Sequence, residues 1–224
     1  MDFILDLDTR LLLAINGCHS AFLDNWMWNL TERTTWIALY VAMVACIVVR
    51  YRDNSTAPVS SWLRVVIVIL AVAASAGIAD YLSSGIIKHA VCRLRPTHQP
   101  ELEGLVHIVN GYRGGMYGFV SSHAANTFAV ALIFSLIIRD TFTTVPLMLW
   151  TLLNCYTRVY LGVHYPTDIL GGLLVGTAIA LAVYYLLRKT GIIKKEDSFH
   201  KEPRAMRYLV AVVLMITVVL TAFF

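Results

Sequence analysis

The sequence predicts an all-α protein: a six-transmembrane helical bundle preceded by an amphipathic interfacial helix. Three observations predict it. Hydrophobic residues make up 58% of the 224-residue chain and charged residues only 14%, against about 45–50% and 25% in soluble domains. Mean hydropathy is +0.68. Uncharged apolar runs recur along the chain, and a spanning helix needs about 20 such residues. This composition excludes a disordered chain, a collagen-like chain and a small disulfide scaffold, and the length suits one integral membrane domain.

Residues 1–33 form the first element. Leu11, Leu12, Ile15, Phe22, Leu23 and Trp26 recur at helical spacing, interrupted by Asp8, Arg10, Asn16, His19 and Asp24. That pattern is amphipathic and predicts a segment lying along the interface. Trp26, Trp28 and Trp36 fit an aromatic belt at the boundary. Asp2, Asp6 and Asp8 make the start acidic where a signal peptide is basic, so no cleavable signal is expected.

Residues 34–224 are read as one membrane domain with spans at 34–49, 65–87, 123–138, 141–156, 169–187 and 208–224. The shorter ones borrow flanking polar residues to reach spanning length. Asp80 is the internal acid of the second span, and is expected to make a polar interhelical contact or to pair with Lys88.

Six spans sort the 18 Lys and Arg residues onto two sides. Arg50, Arg52, Arg64, Arg139, Arg188, Lys189, Lys194, Lys195, Lys201, Arg204 and Arg207 fall on one, and Arg10, Arg33, Lys88, Arg93, Arg95, Arg113 and Arg158 on the other. The side with eleven is expected to be cytoplasmic, which turns the segment 88–122 outward. Topology accounts for the basic stretch 188–207 without nucleic acid. Cys18, Cys46, Cys92 and Cys155 form no CxxC pair and are expected to act as small buried hydrophobes. His19, His98, His107 and His200 are expected to be solvated interfacial residues.

Three clusters of chemically capable residues fall on the outward side. The first runs from Lys88 to Arg95-Pro96, the second is Val120-Ser121-Ser122-His123, and the third runs from Arg158 through His164 and Pro166 to Asp168. Pro166 is placed to open a helix, with His164 just before it and Asp168 in its first turn. A carboxylate that accepts from one imidazole nitrogen leaves the other unprotonated and aimed, as a nucleophilic histidine requires. Ser121 and Ser122 are natural N-caps, and a helix N-terminus favours an anion. His123 is placed as general acid for a leaving oxygen. Lys88, Arg95 and Arg158 supply three cations, and phosphoryl transfer depends on such positioning and charge stabilisation.

The spacing Lys88-x6-Arg95-Pro96, then Ser121-x-His123, then Arg158-x5-His164-x3-Asp168 resembles the type 2 phosphatidic acid phosphatase (PAP2) superfamily, whose signature is KxxxxxxRP…PSGH…SRxxxxxHxxxD. The resemblance implies an integral membrane lipid phosphatase. It implies that His164 attacks phosphorus to form a phosphohistidine, that Asp168 orients it, and that His123 protonates the leaving group and later activates water. Lys88, Arg95, Ser121, Ser122 and Arg158 would hold the phosphate. No metal or other cofactor is expected, and the chain has no HxxxH or HExxH motif and no cysteine cluster. Val120, Ser122 and Thr157 depart from the signature's proline, glycine and serine. All ionisable members remain, so the chain is read as an active variant.

A boundary site suits a substrate with a phosphate head and an apolar tail, in a bacterial inner membrane with the site facing the periplasm. The segment 96–120, with Glu101, Glu103, Tyr112, Arg113, Gly114, Gly115 and Tyr117, is expected to shape the headgroup site. Undecaprenyl diphosphate is the expected substrate. Lipid A is the next, followed by phosphatidylglycerol phosphate and phosphatidate. A lipid phosphotransferase and an inactive lipid-phosphate binder are the readings from other classes. High hydropathy argues against a soluble vanadium haloperoxidase.

Overall fold

The computed structural model describes residues 2–52, 58–194 and 204–223. Among them the fold is all-helical, with one isolated antiparallel bridge between Leu94 and Tyr117. The N-terminal segment is two helices rather than one: α1 (Asp2–Asn16) and α2 (Ala21–Thr31), the latter capped by Ser20, which accepts from Leu23 N at 3.2 Å. Then follow α3 (Ile37–Tyr51) and α4 (Ser61–Asp80), which continues as a π-helical stretch (Tyr81–Ile87) into α5 (Lys88–Val91). Beyond a long irregular segment come α6 (Ser122–Ile138), α7 (Thr141–Tyr160), α8 (Pro166–Lys189) and α9 (Arg204–Thr221).

Among the described residues, three helices are long and apolar enough to cross a bilayer: Thr34–Tyr51, Ser61–Val91 and Pro166–Lys189. Ser122–Ile138 and Tyr208–Thr221 are apolar but shorter. The second of the long helices has 31 residues, about 46 Å at 1.5 Å per residue. α7 has the length but carries Thr141, Thr143, Thr144, Asn154 and Arg158, which lower its hydropathy. Of the six spans read from the sequence, three reach that length and hydropathy among the described residues. Residues 195–203, within the basic stretch 188–207, and His200 with them, lie outside the described residues.

α6 is the central helix. Its flanks bury Phe134, Ile133 and Ile137, while Trp36 and Trp150 meet edge-on at 5.7 Å in the same core. The outer faces of α4, α7 and α8 carry Leu70, Leu149, Leu152, Leu174 and Leu181 in the open, as a bundle surrounded by hydrocarbon does. Where α8 meets α6, small residues replace large ones. A Cβ on Gly172 would lie 2.5 Å from Ser121 O, and one on Gly176 2.6 Å from Ala125 O. The two glycines, spaced by three residues, allow the helix backbones to approach closely, which sets the start of α6 beside the start of α8.

Several expectations change. Asp80 takes the interhelical alternative: Asn126 Nδ2, on α6, donates to its Oδ1 at 3.1 Å. Cys46 and Cys155 are buried, but Cys18 and Cys92 are exposed, and all four are free thiols. Cys92 is exposed because it ends α5 in a left-handed turn (φ 53°) at the surface. His19 and His107 are not simply solvated. Their rings stack at 3.8 Å, and His107 Nε2 meets Asp24 Oδ2 at 2.8 Å.

Candidate active site

Pro166 opens α8 as its first residue, so the backbone N–H groups of the first turn have no intrahelical acceptors. Asp168 fills that gap: its Oδ2 accepts from Tyr165 N at 3.0 Å and from His164 Nδ1 at 3.3 Å. The second contact leaves Nε2 of His164 as the free nitrogen. Both side chains are closed off from solvent, His164 at 1% exposure and Asp168 at 0%. Burial, then the charges of Arg95, Arg158 and Lys88 with His123, hold the His164 imidazole well below the usual histidine value. It is therefore neutral and able to act as a nucleophile.

The start of α6 joins this corner. Ser121 N donates to the backbone oxygen of Asp168 at 2.9 Å, and Ser121 Oγ caps α6 by accepting from Ala124 N. His123 follows in the first turn and lines a cavity of about 220 Å³ with Thr31, Arg33, Trp36, Tyr40 and Asn154 among others. Ser122 Oγ lies 2.7 Å from Ser84 Oγ in the π-helical stretch of the α4–α5 helix. The serine that departs from the signature glycine is thus tied to a neighbouring helix. Thr157, the departure on α7, donates to Asn154 O at 2.7 Å and is fully buried.

Two guanidinium groups complete the site. Arg158 Nη1 donates to Thr31 Oγ1 at 2.7 Å and Nη2 to Tyr112 Oη at 3.1 Å, while its buried Nε has no partner. Arg95 Nε donates to Tyr117 O at 3.1 Å, and its buried Nη1 has no partner. Buried unpaired N–H donors of this charge are costly unless an anion comes to them. Burial acts to raise the Tyr112 phenol, but Arg158 and Arg95 outweigh it and the net shift is downward. Lys88 lies half-buried within electrostatic reach of Arg95, Arg158 and Asp168. The structure therefore gathers Lys88, Arg95, Ser121, His123, Arg158, His164 and Asp168 around one corner, with Ser122 turned to Ser84.

Other members were not singled out from sequence. Arg93 Nη1 donates to Asp168 Oδ1 at 3.0 Å, and its Nη2 to Asp8 Oδ2 at 2.7 Å. Asp8, 2% exposed on α1, also accepts from Thr167 N at 2.9 Å and from Thr167 Oγ1. It thereby places a carboxylate on the N-terminus of α8. Arg93 sits inside the x6 of the first motif and Asp8 inside the amphipathic N-terminal pattern, and neither carried a separate signal. The segment 96–120 folds back through Arg95 N to Met116 O (3.0 Å) and Gly118 N to Arg93 O (2.8 Å). A Cβ on Gly118 would stand 2.8 Å from Asp168 Oδ2. That glycine serves close approach to the carboxylate.

The chain is 34% identical over 191 residues to a lipid A 4'-phosphatase of Bacteroides thetaiotaomicron, covering 84% of this chain and 80% of that one. It is 34% identical over 184 residues to a lipid A 4'-phosphatase of Porphyromonas gingivalis, covering 82% and 74%. The fold is similar to that of the crystal structure of a transmembrane PAP2 type phosphatidylglycerolphosphate phosphatase from Bacillus subtilis, with a TM-score of 0.60 at 21% identity over 88% of this chain and 90% of that one. The family model of the PAP2 superfamily matches residues 64–192, which hold Lys88, Arg95, Ser121, His123, Arg158, His164 and Asp168 together. The chain belongs to the PAP2 superfamily and is a membrane phosphatase, a hydrolase.

Proposed function

We propose that this chain is a lipid A phosphatase that acts through a phosphohistidine on His164, in a bacterial inner membrane with its site facing the periplasm. The observation that carries the chemistry is the pair of buried, unpartnered guanidinium donors, Arg95 Nη1 and Arg158 Nε, beside a neutral His164. Lipid A is favoured as substrate by the two relatives, each named as a lipid A 4'-phosphatase and similar over most of both chains. The undecaprenyl diphosphate expected from the sequence has no such support, and lipid A takes its place.

In this reading residues 1–33 lie at the interface and residues 34–224 make six spans. Nε2 of His164 attacks phosphorus as the ester oxygen departs, and His123 gives that oxygen its proton. The phosphate oxygens are held by Lys88, Arg95, Arg158 and the N–H groups at the start of α6, capped by Ser121 and followed by Ser122. His123 then takes a proton from water, which displaces His164 and releases inorganic phosphate. Asp168 keeps the imidazole in one tautomer throughout. An apolar cavity of about 340 Å³ between α3, α4 and α6 shares Tyr40, Ala76, Asn126 and Thr127 with the cavity lined by His123. It offers acyl chains a path to the catalytic corner.

The test is phosphate release by purified protein in detergent with EDTA, using bisphosphorylated lipid A, undecaprenyl diphosphate, phosphatidylglycerol phosphate and phosphatidate. Release from lipid A that continues in EDTA and is lost in His164→Ala is expected. Turnover of another lipid in preference would overturn the substrate, and full activity in His164→Ala would overturn the nucleophile.

A further inference from the structure

We propose that His19, Asp24 and His107 bind a single zinc ion, a site separate from the phosphate-binding corner. Each offers one ligand atom, and the three atoms lie within 4.8 Å of one another. His107 Nε2 already meets Asp24 Oδ2 at 2.8 Å, and the His19 ring lies over that of His107, 7° from parallel. One carboxylate oxygen thus stands beside two imidazoles, and only one of them is hydrogen-bonded to it. Two nitrogens and one oxygen form a donor set that suits zinc, with water as the fourth ligand. Calcium and magnesium prefer oxygen ligands alone.

The surroundings are built rather than accidental. Asn16, fully buried at the end of α1, accepts from His107 N at 2.8 Å and donates to His107 O at 2.9 Å and to Tyr160 O at 2.7 Å. Tyr160 Oη donates to Asp24 Oδ1 at 2.7 Å. The backbone of His107 and the carboxylate of Asp24 are therefore held from separate helices, and one carboxylate oxygen is left for the imidazoles. Zinc at about 2.0–2.2 Å from each ligand needs the three atoms about 3.4 Å apart. The 2.8 Å pair opens slightly and the exposed His19 ring rotates in. His19 lies in the α1–α2 turn, and His107 lies in the segment that brings Tyr112 to Arg158 at 3.1 Å. The ion would pin that segment to the N-terminal helices.

The experiment uses the full chain, stripped with EDTA and freed of chelator, then titrated with zinc chloride against a chromophoric chelator. Melting is followed in parallel. One equivalent bound at micromolar affinity or tighter is expected, with a rise of about 5 °C or more at zinc one hundred times above Kd. His19→Ala is expected to weaken binding at least tenfold and to remove the rise, with the zinc-free Tm unchanged. Asp24→Asn, which keeps an acceptor for Tyr160, is expected to do the same. No binding at micromolar zinc overturns the site, and so does a loss of less than tenfold in both variants. Neither readout depends on phosphatase activity.

Discussion

Arg93 holds one oxygen of Asp168 at 3.0 Å while His164 donates to the other at 3.3 Å. The carboxylate that aims the histidine is thus itself aimed by an arginine from the other side. Arg93 lies over the ring of Tyr165 at 4.1 Å and is anchored by Asp8. Arg93→Gln is expected to lower kcat by about 10- to 100-fold, the usual scale for losing a partner that orients an active group, with KM little changed. Steady-state kinetics on lipid A would check it, and a rise in KM at constant kcat would instead put Arg93 on the substrate.

Asp8 joins α1 to the same corner, since it bonds Thr167 and Arg93 at once. Asp8→Asn keeps an acceptor for Thr167 N but loses the charge opposite Arg93. A fall in kcat smaller than that of Arg93→Gln is expected, and the double variant should fall no further than Arg93→Gln alone. Additive losses in the double-mutant cycle would mean that the two residues act separately.

Arg158 is held in a fork by Thr31 and Tyr112, which leaves its buried Nε without a partner, and the proposed reaction gives that donor to the phosphate. Tyr112→Phe is expected to cost a few-fold in kcat/KM. Arg158→Lys should cost at least 100-fold, because an ammonium cannot keep both anchors and still present a planar donor. Measured rates in the reverse order would move the phosphate away from Arg158.

The meeting of His164 with Asp168 was legible in the sequence because four residues separate them at a helix start opened by Pro166. Ser121 as the cap of α6 was legible for the same local reason. Arg93, Asp8, Thr31 and Tyr112 were not, because their contacts cross 85 residues between Arg93 and Asp8, 127 between Arg158 and Thr31 and 46 between Arg158 and Tyr112. Nothing in local pattern marks such a pair until the bundle closes. The two-helix N-terminus was hidden in the same way: Asp8 and Asn16 read as polar interruptions of an amphipathic helix, yet both are buried. Buried hydrogen bonds to distant backbone, and in Asp8 an ion pair, satisfy them.

Gly118 is the tightest steric condition on the carboxylate, since an added Cβ would stand 2.8 Å from Asp168 Oδ2 and 3.4 Å from Arg95 Cγ. Gly118→Ala is expected to lower kcat by at least tenfold while Tm falls by only a few degrees. Gly172→Ala, which faces backbone at 2.5 Å between α6 and α8, should instead lower Tm strongly. Activity measured beside thermal melting separates the two, and a large loss of Tm in Gly118→Ala would make that glycine a folding residue.

The neutral state of His164 also makes stability depend on pH. In the unfolded chain this histidine titrates near 6.5, whereas in the folded protein burial and three nearby cations hold it well below that. Between those two values the unfolded chain binds a proton that the folded one refuses. Stability is therefore full above about 6.5 and falls as pH drops below it, by up to about 1.4 kcal/mol per pH unit, until the folded value is reached. His164→Asn removes the titrating group and retains a donor for Asp168. Thermal melting at pH 7.5 and 5.5 is expected to show a smaller acid-induced fall in the variant than in the unaltered protein. An equal fall in both would mean that His164 takes up its proton as readily in the folded protein as in the unfolded chain, and that burial and the nearby cations do not hold it neutral.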